Sequence, residues 1–238
     1  MAAVSLPVLH YVYDPLCGWC YGAAPLLGAA QAIDGLAIVL HGGGMMSGAN
    51  RQRVNDNLRR HVMAHDQRIA QATGQPFGQA YFDGLLRDTG AVFDSTPPTT
   101  AILAAQQIAG LGLAMLHLIQ HAHYVLGQRV ADAAVLAGLA RQLGLDAGLF
   151  AAACSRLAGA ATEQHVAHSR ALLARLGGQS FPTLAIEYAD GRMVPVDLGN
   201  WLGRTEAWND YLRQQLPVQT APGQVRSGPA CGTDGCAI

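Results

Sequence analysis

Cys17 and Cys20, three positions apart, are the residues whose type and spacing carry chemistry most directly. They sit in the run Cys17-Gly18-Trp19-Cys20, directly after Leu9 to Tyr13, a short apolar stretch that reads as a buried strand. Asp14-Pro15 ends that strand, because the ring of a proline removes a donor and restricts the residue before it. A helical stretch follows from about Gly18 to Ile33, with Pro25 as an expected kink. Cys17 then stands at a helix N-terminus, where unpaired N–H groups and the macrodipole favour an anionic sulfur. Cys20, one turn further in, is close enough to close a disulfide and is the more shielded of the two. Such a pair performs thiol–disulfide exchange: one sulfur forms a mixed disulfide and the other resolves it. Half of a zinc site and two core cysteines are the competing readings. Structural zinc takes four ligands, however, and no second CxxC is present.

The elements that must position this pair come in a definite order. Leu36 to Leu40 is a second apolar run, read as a buried strand leading into His41-Gly42-Gly43-Gly44. Strand, helix and strand imply a parallel pair with a right-handed crossover. From about Ser47 to Ala174 the chain is almost wholly helical in character, broken at Gly74-Gln75-Pro76, Ser95-Thr96-Pro97-Pro98 and Gly144-Leu145-Asp146, with Ser95 or Thr96 as the cap of the helix near Pro98. Alternation returns at Thr183 to Tyr188, then a turn at Ala189-Asp190-Gly191, a partner strand Arg192 to Val196, and a helix from about Asn200 to Gln215. The expected fold class is therefore α/β. Residues 1–46 and 175–216 form a discontinuous sheet domain, 47–174 a helical insertion over it, and 217–238 a Gln-, Pro-, Gly- and Ser-rich tail.

The run Tyr13-Asp14-Pro15-Leu16-Cys17-Gly18-Trp19-Cys20-Tyr21-Gly22, with Ser180-Phe181-Pro182-Thr183-Leu184 far downstream, resembles the DsbA-like thioredoxin-fold oxidoreductases, especially the FrnE-like branch. The resemblance spans about Leu6 to Leu216. It implies a thioredoxin fold with a large all-helical insertion and a cis-proline at Pro182 beside the redox cysteines. It also implies that the backbone of Phe181 is free to pair with an extended substrate. The expected neighbours of Cys17 and Cys20 are Asp14, Gly18, Trp19, Phe181, Pro182 and Thr183. Three departures stand out. Gly18 occupies a place where many relatives carry proline. Tyr11 stands where thioredoxin-like proteins often hold a buried acid, leaving Asp14 as the nearest acid and as a cap at the start of the helix. Phe181 is bulky for its place and implies an apolar contact with substrate or insertion.

The remaining candidates are weighed against plainer readings. Cys231 and Cys236 near the end are an auxiliary redox pair exchanging with Cys17–Cys20, an independent tail disulfide or a metal clip. Cys154 reads as a lone buried thiol. His61 with His65, His117 with His121, and His165 with His168 share helix faces, but no HExxH pattern or acidic third ligand accompanies them. The basic run Arg51, Arg53, Arg59 and Arg60 reads as a solvated helix face. The three consecutive glycines lack nucleotide-site spacing.

Composition narrows the field further. Half of the 238 residues are hydrophobic and the formal net charge is −1, with arginine in every basic position and no lysine. There is ample core and no electrostatic case for nucleic acid. Thr100 to Ile119 holds no formal charge, but Gln106, Gln107, His117 and two glycines make it a buried helix, not a membrane span. The opening residues show no secretory signal pattern, which points to the cytoplasm. There a dithiol is held mostly reduced, so reductase or isomerase work fits better than bulk oxidation. The expected activity is a disulfide isomerase-like or DsbA-like oxidoreductase acting on protein or small thiol substrates. It needs no metal or organic cofactor; glutathione is a candidate co-substrate and a homodimer is compatible with the sequence. Trp19 is expected to pack beside the disulfide and restrict access. The rivals are a glutathione-dependent enzyme of the kappa-transferase or 2-hydroxychromene-2-carboxylate isomerase type, for which Cys20 would be dispensable, a chaperone-like binding module and, more weakly, a metal carrier.

Overall fold

The first strand, β1 (Val8–Tyr13), is covered on both faces. Leu9, Tyr11 and Tyr13 point into the main core, while Val12 packs with Leu172 and Leu173 on the other side. Alternate side chains leave a strand on opposite faces, so burying both sets requires a layer of helix on each. The computed structural model describes residues 6–216, which hold that layered arrangement.

After β1 come α1 (Gly18–Gly22), α2 (Ala24–Gln31) and β2 (Ala37–Gly42). Then follow β3 (Gln52–Arg53), α3 (Asp56–Thr73), β4 (Val92–Phe93), α4 (Thr96–Ala109), α5 (Gly112–Tyr124), α6 (Ala133–Gln142), α7 (Ala147–Leu157) and α8 (Ala160–Arg175). The chain closes with β5 (Thr183–Glu187), β6 (Met193–Val196) and α9 (Thr205–Gln215). The main sheet has the order β2-β1-β5-β6, with β1 and β2 parallel and the other pairs antiparallel. Trp208 of α9 is fully buried and its indole N–H donates to the Leu26 carbonyl at 2.9 Å, binding α9 to α2. On the opposite face α8, which the sequence places in the insertion, lies against β1 and β2. The Arg170 side chain of α8 donates to the carbonyls of Gly43 and Gly44, and His165 accepts from the Gly42 N–H at 2.9 Å.

Several elements differ from the sequence reading for identifiable reasons. The helix expected over 18–33 is two helices parted at Ala23, because Pro25 in the first turn of α2 cannot donate back into the preceding turn. The second strand is an edge strand and not a buried one, with Val39 39% exposed. Of its apolar residues, Ile38 and Leu40 pack on the core, while Ala37 and Val39 on the other face are exposed. The stretch 47–174 is not wholly helical: β3 and β4 form a two-stranded ribbon pairing Gln52 with Phe93 and Arg53 with Val92. Of the basic run, Arg51, Arg53 and Arg60 are exposed, as a solvated face requires, but Arg51 and Arg53 precede α3, and Arg51 meets Asp94 at 3.6 Å and Arg59 meets Asp83 at 3.8 Å. Thr100 to Ile119 is parted between α4 and α5 at Gly110, whose positive φ ends α4. No helix among the described residues is long and apolar enough to cross a membrane.

Trp208→Ala should lower the unfolding free energy by about 3–5 kcal/mol, read as a shift of the urea midpoint at unchanged slope.

Candidate active site

Pairing of β1 with β5 brings the two segments of the site together. Val12 lies opposite Thr183 and Tyr11 opposite Leu184, so the turn before β5 ends beside the turn after β1. Cys17 is the N-cap residue of α1, with extended backbone and 6% of its surface exposed; Cys20 is fully buried one turn on. Both are free thiols. The Cys17 thiol donates to the carbonyl of Phe181 at 3.5 Å, and the Phe181–Pro182 peptide bond is cis. Thr183 Oγ1 donates to the Ser180 carbonyl at 2.9 Å, closing the turn. The Phe181 ring contacts Gly43 so closely that a Cβ there would lie 2.1 Å from Cε1. The apolar contact expected for Phe181 is thus made within the protein, against the loop after β2.

Asp14 does not cap α1, a place Cys17 holds. Its carboxylate is fully buried and accepts from Leu16 N–H at 2.8 Å, Ser95 Oγ at 2.8 Å and Met45 N–H at 2.5 Å. Burial pushes its pKa above the ordinary range, against the pull of these bonds and of Arg170. Ser95 occupies the N-cap position of α4, yet its hydroxyl serves Asp14, and Asp94 accepts from Thr96 N–H in its stead. Behind the cysteines, Tyr11 takes the place of the absent acid and donates to the Cys20 carbonyl at 3.2 Å. The Asp14 N–H points at Cys20 Sγ at 3.4 Å. Burial pushes the Cys20 thiol well above its ordinary range, and neighbouring Cys17 adds to this.

In front of Cys17 opens a cavity of about 380 Å³, walled by Gly18 and Trp19 of α1, Met45 and Met46, and the inner side of α3. That volume lies within the range of small-molecule sites. Trp19, half-buried, packs on the core and forms one wall. α3 lines the opposite wall with Leu58, His61, Val62, His65, Asp66 and Ile69. Asp66 is 4% exposed and accepts from the Tyr81 hydroxyl at 2.8 Å. Burial raises its pKa to about 7, the Tyr81 hydrogen bond opposing that rise.

Asp66 and Tyr81 escaped the sequence reading. A signal was present: Leu58, Val62, Asp66 and Ile69 recur at helical spacing, which sets a carboxyl within an apolar stripe. The histidine pairs divide. His61 and His65 line the cavity, His165 supports Gly42, and His117 is partly enclosed. Among the described residues no group of three or more His, Cys, Asp or Glu side chains is placed to hold a metal ion. Cys154 is half-buried, not fully buried, and borders a separate apolar hollow of about 490 Å³ between α4, α6 and α7. Cys231 and Cys236 lie outside the described residues.

A thioredoxin-type sheet presenting a CxxC dithiol at a helix start, faced by a cis-proline turn, defines a thiol–disulfide oxidoreductase. Residues 8–200 match the DsbA-like thioredoxin domain, and the chain belongs to that family. It is similar to the cytosolic disulfide reductase DsbM from Pseudomonas aeruginosa, with 56% identity, a TM-score of 0.82, and coverage of 87% of this chain and 98% of that one. The structure of DsbM with glutathione matches at 54% identity and a TM-score of 0.81, with the same coverage. A 2-hydroxychromene-2-carboxylate isomerase, at 16% identity and a TM-score of 0.55 over 87% of this chain and 97% of that one, shares the fold alone. No curated protein matches the chain in sequence.

Gly18 has a steric reason here. A Cβ at this position would lie 2.7 Å from Asp66 Oδ1 and 2.8 Å from Ile69 Cδ1, and one at Gly22 would lie 2.9 Å from Ile69 Cγ2. α1 and α3 therefore meet over glycine. Gly18→Ala should push the Asp66 carboxyl and the Ile69 δ-methyl aside and cost about 1–3 kcal/mol, measured by chemical denaturation.

Proposed function

We propose that the chain works as a glutathione-dependent disulfide reductase in a reducing, cytosolic compartment, with Cys17 as nucleophile and Cys20 as resolving thiol. The observation that carries this reading is the position of Cys17 between the Phe181 carbonyl and a cavity sized for a small thiol. The similarity to DsbM, whose structure with glutathione is known, supports the same reading.

The steps follow from the placement of the two sulfurs. Cys17 thiolate attacks a substrate disulfide, forming a Cys17 mixed disulfide and releasing one substrate sulfur as a thiolate. The Cys20 thiol, buried and protonated, attacks Cys17 sulfur and passes its proton to the departing substrate sulfur. A first glutathione opens the Cys17–Cys20 disulfide and returns the proton to Cys20. A second releases oxidised glutathione and restores Cys17. Substrate disulfide gains two electrons and two glutathione molecules lose one each. The Phe181 backbone supplies the edge on which an extended substrate pairs. Within the family, the Tyr13–Gly22 run and the tail pair favour the FrnE-like branch, and the tail cysteines are assigned a relay role.

Cys17→Ser should abolish exchange, while Cys20→Ser should accumulate mixed disulfides detectable by intact mass; full activity in the first variant overturns the mechanism. Equilibration with glutathione should place the Cys17–Cys20 couple near the thioredoxin value of about −270 mV, and a value near −120 mV would make it an oxidant. Replacing Cys231 and Cys236 with Ser should slow multiple turnover without changing the first exchange, and unaltered turnover with every reductant removes the relay.

A further inference from the structure

Asp66 is a carboxyl in a position that packing alone does not explain. It interrupts the buried stripe of α3, where an apolar residue would pack without desolvation cost. Its surroundings contrast with those of Asp14. Three donors engage the Asp14 carboxylate, whereas the Asp66 carboxyl receives one, from Tyr81 to Oδ2, and no other hydrogen bond among the described residues reaches that carboxyl. Oδ1 is the oxygen nearest the residue after Cys17, at the distance that only Gly18 permits. Asp66 and Cys17 thus line one cavity from opposite helices.

We propose that Asp66 is the acid–base group of the exchange reaction, giving a proton to the thiolate that leaves the cavity and taking one from the thiol that enters it. The proposal rests on the cavity being the exchange site. In the opening step a Cys17–sulfur bond forms, the substrate S–S bond breaks, and the departing thiolate takes the Asp66 carboxyl proton. In the closing step the Asp66 carboxylate removes the S–H proton of glutathione. The glutathione sulfur bonds to the sulfur held on Cys17, and Cys17 leaves as thiolate. Each cycle returns both groups to their starting forms, and no further reactant is needed.

The titratable groups that line the cavity with Asp66 are Cys17 from the head of α1, His61 and His65 on α3 itself, Tyr81 from the turn before residue 85, and Tyr124 from α5, with His123 packed against both tyrosines. Burial keeps Tyr81 and Tyr124 protonated and lowers His123 to about 3, so both tyrosines and this histidine are neutral near pH 7. The cavity wall contains no arginine. A carboxyl titrating near 7 in such a place is matched to proton transfer at neutral pH.

The test is Asp66→Asn in the full chain, with reduction of bis(2-hydroxyethyl) disulfide by glutathione followed from pH 5 to 9. We expect the parent's kcat/KM to decline as pH rises through about 7, and Asp66→Asn to lower it about 10²-fold and to abolish that decline. Tyr81→Phe removes a donor that favours the ionised carboxyl, so the same decline should move to higher pH. Stability supplies an independent reading. The folded chain holds this proton more tightly than the unfolded chain, so stability should drop between about pH 4 and about pH 7, and Asp66→Asn should remove that slope. A rate profile of unchanged shape in Asp66→Asn overturns the proposal even if activity falls. If that variant does not fold, an unmoved decline in Tyr81→Phe overturns it. Activity surviving in Cys17→Ser would instead sink the exchange site itself.

Discussion

The buried carboxylate of Asp14 is the tie on which the site's geometry depends. Its three donors come from distant parts of the chain: Leu16 in the redox turn, Met45 after β2, and Ser95 at the head of α4. Losing one donor from a buried charged acceptor costs about 1–3 kcal/mol or more, so the three segments are held in one arrangement. Arg170 adds a second hold on the same loop through the carbonyls of Gly43 and Gly44. Gly43 in turn seats the Phe181 ring, and the Phe181 carbonyl receives the Cys17 thiol. A closed circuit of contacts thus runs from Asp14 through the 43–45 loop to Phe181 and back to Cys17. The helical insertion is part of that circuit through Ser95, which is why it acts as a wall of the site.

What was legible in the sequence follows the range of the interaction. The CxxC run, β1 before it and the hairpin near 189–191 are local patterns, visible because strand, turn and helix signals lie within a few residues. The β1–β5 pairing spans most of the chain, and residue 182 could be placed beside Cys17 only through the family resemblance. Asp14 looked like a cap because caps are local; its true partners at 45 and 95 are not. The ribbon of β3 and β4 has two residues per strand and leaves no periodicity to detect. Asp66 was hidden differently. Its helix was plain, but the polar flanks and the histidine pair at 61 and 65 mask one acid inside the apolar stripe.

Position 11 joins these observations. With an acid there, proton handling would sit behind Cys20, on the buried side of the pair. Tyr11 instead spends its hydroxyl on the Cys20 carbonyl, and its own ionisation is suppressed by burial. Asp14 cannot replace that acid, because both its oxygens are engaged in holding the loop. Among the described residues, the one other strongly buried carboxyl is Asp66, on the cavity side of Cys17. An acid there meets the sulfur of an arriving or departing small thiol and not the resolving cysteine. Gly18 makes this possible, since any side chain at 18 would occupy the space between the two helices. The departure from proline at 18 and the departure from an acid at 11 are therefore two parts of one rearrangement, which moves the proton-transfer group from the core of the sheet domain to the wall contributed by the insertion.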